Sequence, residues 1–267
     1  MTKLNDTTVL ITGGARGIGR KMAERAIARG ARVIIWDMNP QTLQETVSAL
    51  GDSARGYVVD ITDRNQVYET GRKVREELGP VDVLINNAGI VTGKPFLELP
   101  DEMIERTFQV NSISLFWMAR AFLPDMIARN RGHVVTISSA AGQVGVAKLA
   151  DYCASKFAAT GFDESLRVEL KASAPGVRTT LVSPYYINTG MFEGVQTRFP
   201  LLLPILEEDQ VADKVIRAIE RNDARLYLPP LVRILSVIKF LPTPICDAIM
   251  NFFGVNQTMD HFVGRKS

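Results

Sequence analysis

Several short apolar runs in this chain do not alternate with polar residues. Val9-Leu10-Ile11 and the 32–36 run that ends in Trp36 are near-continuous. A strand with one wet face shows apolar and polar residues in turn. A continuous run must be covered on both faces, the situation of a parallel sheet between two helical layers. Strands are expected at 9–11, 32–36, 56–59, 81–85, 133–137, 178–182 and 225–228. Helical segments lie between them, at 18–29, 41–50, 64–78, 101–128, 151–172 and 208–221. Gly30 and Gly79-Pro80 stand where helices are expected to stop. Repeated strand–helix units with right-handed crossovers give an α/β fold, a doubly wound Rossmann-type parallel sheet of about seven strands with helices on both faces.

The 267 residues contain no linker, repeat or low-complexity tract, so 1–267 reads as a single domain with an apolar extension over 229–267. With 46% hydrophobic and 22% charged residues the chain resembles an ordinary globular protein. A net charge of +2 with interspersed signs gives no nucleic-acid-binding signal. Cys153 and Cys246 form no metal-ligand cluster, so no metal is expected and a reducing compartment is. The polar start, Met1 to Thr8, lacks a secretory pattern, and no apolar run is long enough to span a membrane. The expectation is a cytoplasmic protein. Residues 231–254 are strongly apolar but are broken by Arg233, Lys239, Asp247 and two prolines, which keeps peripheral membrane contact open.

The first strand runs into Thr12-Gly13-Gly14-Ala15-Arg16-Gly17-Ile18-Gly19 and then a helix. A glycine-rich turn at a helix N-terminus suits a pyrophosphate, because backbone N–H groups and the positive end of the dipole face the anion. Gly13 would make the turn, Gly17 would admit the phosphates, and Gly19 would let helix and strand pack closely. Arg16 could meet a phosphate. Asp37 ends the second strand, near the spacing at which an acid meets the adenosine ribose. Its carboxylate would repel a 2′-phosphate, which favours NAD over NADP; it could also simply start the turn Asp37-Met38-Asn39-Pro40. Asp60, beside Ile61, either reaches the adenine edge or caps the next helix. Asn86-Asn87-Ala88-Gly89 follows the fourth strand, so it lies at the ligand-binding end of such a sheet or forms a plain turn.

Tyr152 and Lys156, four apart on an expected helix, share one face. A free tyrosine with a pKa near ~10 is a poor base; lowering it to ~7 takes about 4 kcal/mol of preference for the phenolate. A nearby ammonium and a cationic nicotinamide are charges able to supply this. Ser139 follows the fifth strand, where its hydroxyl could bond a substrate oxygen. His133 and His261 are the only histidines, and there is no nucleophile elbow, so Ser-His-Asp hydrolysis is not expected.

The motifs Thr12-Gly13-x-x-x-Gly17-x-Gly19, Asn86-Asn87-Ala88-Gly89, Asn111, Ser139 and Tyr152-x-x-x-Lys156 together resemble the short-chain dehydrogenase/reductase family over residues 5 to 228. The resemblance implies that Tyr152 exchanges a proton with the substrate oxygen and that Ser139 positions it. Lys156 would lower the tyrosine pKa and bind the nicotinamide ribose, and Asn111 would hold a relay water in a bent helix. Gly13, Arg16, Gly17, Ile18, Gly19, Asp37, Asp60, Ile61, Asn87, Ala88 and Gly89 would bind the cofactor, joined by Tyr152 and Lys156. Pro184, Ile187 and Thr189 fit the segment that touches the nicotinamide. Tyr185 stands where the family has glycine; it either lines the substrate pocket or lies in a surface loop. The helix around Tyr152 carries Ala154, Ala158, Ala159 and Gly161, and the family pairs this helix across a two-fold axis, which implies a homodimer or homotetramer.

Residues 190–207, with Met191 and Phe192, form an expected apolar substrate lid, or else bury one another or a subunit contact. The tract from Asn188 to Gly194, Leu203-Pro204-Ile205-Leu206 and Met259-Asp260-x-Phe262-Val263 are similar to the retinol dehydrogenase branch related to epidermal retinol dehydrogenase 2. That branch usually carries an N-terminal anchor, which the polar start does not supply. The resemblance implies a lipophilic alcohol as substrate, such as a retinoid, steroid or long-chain alcohol. The alternatives are a 3-oxoacyl-carrier-protein reductase and a non-catalytic dinucleotide-sensing scaffold.

Overall fold

A computed structural model describes residues 1–264; residues 265–267, the end of the expected C-terminal extension, lie outside the described residues. Its centre is a seven-stranded parallel sheet, β1 (Thr8–Thr12), β2 (Arg32–Asp37), β3 (Ala54–Val58), β4 (Val83–Asn86), β5 (Gly132–Ile137), β6 (Val177–Pro184) and β7 (Arg225–Leu228). The order is β3-β2-β1-β4-β5-β6-β7. The chain leaves β1 for β2 on one side and reaches β4 on the other, so β1 and β4 flank the switch point where such sheets bind ligands.

The non-alternating runs are explained by two cores. Val9, Ile11, Val33, Ile35, Val83 and Ile85 face one helical layer. That layer is α1 (Gly17–Ile27), α2 (Pro40–Leu50) and α7 (Glu208–Arg221), which supply residues such as Met22, Leu43 and Val215. Leu10, Ile34, Trp36, Leu84 and Val134 face the other way. They meet Val67 and Val74 of α3 (Arg64–Leu78), Phe122 of the helix Ser114–Ala128 and Leu170 of the helix Ala150–Ser173. Successive side chains of a strand point to opposite faces, so each run feeds both layers. Edge strand β3 reads Ala-Arg-Gly-Tyr-Val and is mostly exposed, and it begins two residues before the expected 56–59.

The expected 101–128 helix is two: α4 (Asp101–Phe108) and α5 (Ser114–Ala128), joined by a π-helical turn at Gln109–Ile113. The wide turn contains Asn111 and accounts for the expected bend. α6 (Ala150–Ser173) carries Tyr152 and Lys156. After β7 the apolar extension folds into α8 (Leu235–Ile238) and α9 (Thr243–Phe252). Met250 and Val255 pack on Val144, in the loop after β5.

Inside the α6 contact with the sheet lies Asp163, 1% exposed, with one carboxylate oxygen lacking any partner. Burial pushes its pKa from 3.8 to about 7; the Thr136 hydroxyl, Arg167 and Arg225 offset only part of this. The folded chain therefore keeps a proton that the unfolded chain releases. Stability falls as pH rises from about 4 to about 7 and is level above that, by roughly 4 kcal/mol at most. Asp163→Asn is expected to raise Tm at pH 8 and to leave it nearly unchanged at pH 4, by scanning calorimetry. Equal shifts at both pH values would contradict this account.

Candidate active site

The carboxyl ends of the strands surround a continuous cleft of about 450 Å³. Its first limb begins where β1 ends. Gly13 has φ +60°, and its N–H donates to the Trp36 carbonyl at 2.7 Å. Gly17 opens α1 with φ +56°. α1 has no side-chain cap and no acid in its first turn. Arg16, Gly17 and Ile18 at its N-terminus line the cleft, and the positive end of a helix dipole suits an anion. A Cβ on Gly17 would find nothing nearer than Thr189, 3.7 Å away, so this glycine serves an open cradle. A Cβ on Gly19 would strike the Gly13 carbonyl and sit 2.7 Å from Asn87 Nδ2, so that glycine serves close packing.

The loop after β4 is stitched to this turn. Asn87 Nδ2 donates to the carbonyls of Thr12 and Gly13, both at 3.0 Å. The Asn87 and Ala88 N–H groups donate to Thr12 Oγ1 at 3.0 and 3.2 Å. Asn87 thus does more than turn the chain.

Asp37 is buried at the end of β2. Its carboxylate accepts from Ala15 N–H at 3.2 Å and from Asn39 N–H at 3.1 Å. It therefore starts the turn and also braces the glycine loop, while still lining the cleft. Asp60 does not cap α3; Asp63 does, accepting from the N–H groups of Asn65 and Gln66. Asp60 instead accepts from Thr62 and from Arg106 Nη2 at 3.0 Å. Burial pushes its pKa up, but these hydrogen bonds and the Arg106 charge more than offset it and hold the carboxyl below its usual value.

At the far limb Tyr152 and Lys156 are both buried. Lys156 Nζ donates to the Ile137 carbonyl at 2.9 Å and lies 5.7 Å from the Tyr152 ring centre. Burial pushes Lys156 down to about 8. Burial also pushes the Tyr152 phenol up, and its hydrogen bond with Ser139 offsets only part. Within the chain alone desolvation outweighs the Ser139 hydrogen bond, and the lowering that the resemblance implies for Lys156 is not seen. Ser139 Oγ accepts from Ala141 N–H at 3.1 Å.

The cleft brings together every site residue expected from the sequence except Asn111. Asn111 is buried behind the wall. Its Oδ1 accepts from Ile90 N–H at 2.9 Å, and its Nδ2 donates to Ile90 O and to Ser155 Oγ, both at 3.0 Å. It locks the β4 loop to α6. Pro184, Tyr185, Ile187, Thr189, Met191 and Phe192 line the limb around Tyr152. Of residues 199–205, only Leu203 lines it. The C-terminal extension supplies a larger share of the wall, with Leu231, Ile234, Leu235, Ile238, Met250 and Phe253.

Sequence reasoning missed Arg106 and Tyr186; for the apolar tail it left a pocket cover, a subunit contact and a membrane contact open, and residues from Leu231 to Val255 line the cleft. Tyr186 packs on Phe192 with ring centres 5.0 Å apart, Phe192 packs on Tyr152 at 5.8 Å, and Tyr186 Oη is 2.8 Å from Thr258 Oγ1. Its position beside Tyr185 was the one available signal.

The uncapped helix, the open cradle at Gly17 and the carboxylate of Asp37 fit a dinucleotide whose pyrophosphate meets α1. The short chain dehydrogenase family pattern matches residues 7–198. Epidermal retinol dehydrogenase 2 of Mus musculus is 44% identical over 264 residues, covering 97% of this chain and 85% of the relative. A short chain dehydrogenase/reductase from Burkholderia phymatum, solved in complex with NAD, has a TM-score of 0.81 at 24% identity, covering 90% of this chain and 95% of its own. A metagenomic short-chain oxidoreductase solved with NADP has a TM-score of 0.70 at 28% identity, covering 85% of this chain and 96% of its own.

Proposed function

Because the chain belongs to the short chain dehydrogenase family, we propose that it oxidises a bulky lipophilic alcohol, or reduces the matching carbonyl, with NAD(H) preferred over NADP(H). The observation that carries this reading is the junction at Tyr152. There a limb lined by glycine loop and carboxylates meets a limb lined by Tyr186, Phe192, Leu235, Met250 and Phe253. A polar substrate would lose its hydration in the second limb without recovering hydrogen bonds. The relatives named as retinol dehydrogenases support a retinoid; a steroid or long-chain alcohol is the alternative that the apolar lining also admits.

The cofactor, when bound, supplies the acceptor or donor of hydride. Gly13, Arg16, Gly17, Ile18 and Gly19 would hold its pyrophosphate end, Asp37 its ribose, and Asp60 and Ile61 the adenine side. Asn87, Ala88, Gly89, Pro184, Ile187 and Thr189 shape the nicotinamide end. Tyr152 Oη takes the proton of the alcohol in oxidation and returns it in reduction. Ser139 Oγ orients the same substrate oxygen. Lys156 Nζ, fixed on Ile137 O, keeps a positive charge near the tyrosine and favours the phenolate as the site fills. Asn111 sets the position of Ile90 and the loop before it. Met191, Phe192 and Leu203 of the 190–207 segment and the lining residues of the C-terminal extension act as the lid, with the C-terminal part the larger contributor.

A panel of alcohols and ketones with NAD(H), followed by absorbance of the reduced cofactor, tests the assignment. Turnover is expected on lipophilic members; turnover confined to polyols or sugars would overturn it. Phe192→Ala removes the ring packed on Tyr152. It is expected to lower kcat/KM for a bulky apolar alcohol by roughly tenfold, chiefly through KM. An unchanged KM would remove Phe192 from the substrate wall.

A further inference from the structure

The start of α6 carries two interleaved pairs of residues. Tyr152 and Lys156 line the cleft. Asp151 and Ser155, each one residue earlier, are buried on the adjoining face, because one step along a helix turns a side chain by about 100°. Ser155 is bonded there to Asn111. Asp151 is 4% exposed, and its Oδ2 accepts from Thr107 Oγ1 at 2.9 Å and from Thr92 Oγ1 at 3.0 Å. Its Oδ1 is buried without a hydrogen-bond partner among the described residues. Thr107 is fully buried in the last turn of α4. Thr92 lies two residues beyond Ile90, in the loop after β4.

A buried carboxylate costs desolvation that a neutral residue in the same place would not. In return, hydroxyl donors bind a charged oxygen more strongly than a neutral one. Two such donors converge on Asp151 Oδ2, so one atom joins the loop after β4, the end of α4 and the first turn of α6. The second turn of α6 is held separately. Lys156 Nζ donates to Ile137 O, Lys156 O accepts from Ser138 Oγ at 3.0 Å, and Ser155 is bonded to Asn111. The first turn, which carries Tyr152, has no side-chain cap at Leu149. Asp151 ties that turn to the two neighbouring elements.

We infer that Asp151 is a positioning residue for the reaction, setting through Thr92 and Thr107 where Tyr152 Oη stands relative to the nicotinamide end of the cleft. The inference rests on the reading of Tyr152 as the proton carrier. A displacement of about 1 Å between reacting groups costs on the order of 10²-fold in rate. The cofactor limb is held without Asp151, because Asn87 is bonded to Thr12 and Gly13 and Ile90 is bonded to Asn111. Loss of the Asp151 staple therefore shows in kcat and not in cofactor affinity.

Steady-state rates of the full chain, with NAD and an alcohol that the parent oxidises, test it alongside NADH binding by fluorescence. Asp151→Ala is expected to lower kcat by about 30- to 100-fold, with the NADH dissociation constant within about threefold of the parent. Asp151→Asn keeps an oxygen for both hydroxyls and removes the charge; it is expected to bring kcat back to within about threefold of the parent. Thr92→Val removes one donor and leaves the carboxylate in place. It is expected to lower kcat by about three- to tenfold, and to add nothing in the Asp151→Ala background. An Asp151→Asn variant as slow as Asp151→Ala, or losses at Asp151 and Thr92 that simply add, overturns the inference. So does a loss of NADH affinity that matches the loss of kcat, the result of a general loosening of the fold. If Asp151→Ala does not fold, Thr92→Val decides, and a parent-like kcat there overturns the inference. Parent-like rates in Asp151→Ala with slow Tyr152→Phe overturn the inference alone. Parent-like rates in Tyr152→Phe overturn the reading of Tyr152, and the inference with it.

Discussion

Tyr152→Phe is expected to lower kcat by about 10³-fold or more while leaving cofactor affinity within a few-fold of the parent. The reason is the position of the hydroxyl. The ring is held by α6 and by Phe192, so the substituted phenyl keeps its place and only the proton carrier is lost. Ser139 stays, but its Oγ already accepts from Ala141 N–H and has no base beside it to replace the phenol. Burial pushes the phenol up. The residual rate is therefore expected to lack the pH dependence that the parent gains from titrating Tyr152. Steady-state rates across pH, with cofactor binding measured by fluorescence, check both parts. A variant that keeps a tenth of the parent rate would mean that the proton moves through another group.

The second large effect is expected at Asp37. Its carboxylate is buried at the cleft wall and held by the N–H groups of Ala15 and Asn39. A 2′-phosphate brought to about 4 Å would meet a repulsion on the order of 4 kcal/mol at an effective dielectric of 20. Asp37→Ser keeps a small polar side chain and removes the charge. It is expected to shift the ratio of kcat/KM for NAD to that for NADP by about 10²- to 10³-fold toward NADP. Arg16, which lines the same limb, is then placed to meet the added phosphate. Initial rates with both cofactors measure the ratio. An unchanged ratio would show that Asp37 only braces the loop through Ala15.

The sheet could be read before any coordinates because its runs are short, continuous and buried on both faces. Val9-Leu10-Ile11 sends alternate side chains into two cores, and both are filled by helices that the spacing had already placed. β3 was displaced because an edge strand with two exposed residues in its first three carries little apolar signal. Asn111 was legible as a residue, but its geometry was not. The π-helical turn that aims its amide at Ile90 has no apolar period of its own. Arg106 was invisible because its partner, Asp60, is on a different strand–helix unit, so no local spacing links them. The capping alternative for Asp60 falls to Asp63, three residues on. The elevated Tyr152 pKa depends on what buries the ring, and Phe192 and Tyr186 reach it only through folding. The C-terminal extension was legible as apolar. Its short α8 and α9 carry no long helical period, and their packing on Val144 is a tertiary fact.

In the proposed reaction hydride leaves the carbinol carbon of an apolar alcohol at the junction beside Tyr152. A secondary lipophilic alcohol bearing deuterium on that carbon, incubated with the protein and NAD, tests this directly by mass spectrometry of the reduced cofactor. One deuterium is expected in the reduced cofactor with the parent chain, and nearly all of that signal is expected to be lost with Tyr152→Phe. Reduced cofactor without the label, or equal labelling by parent and variant, would contradict it.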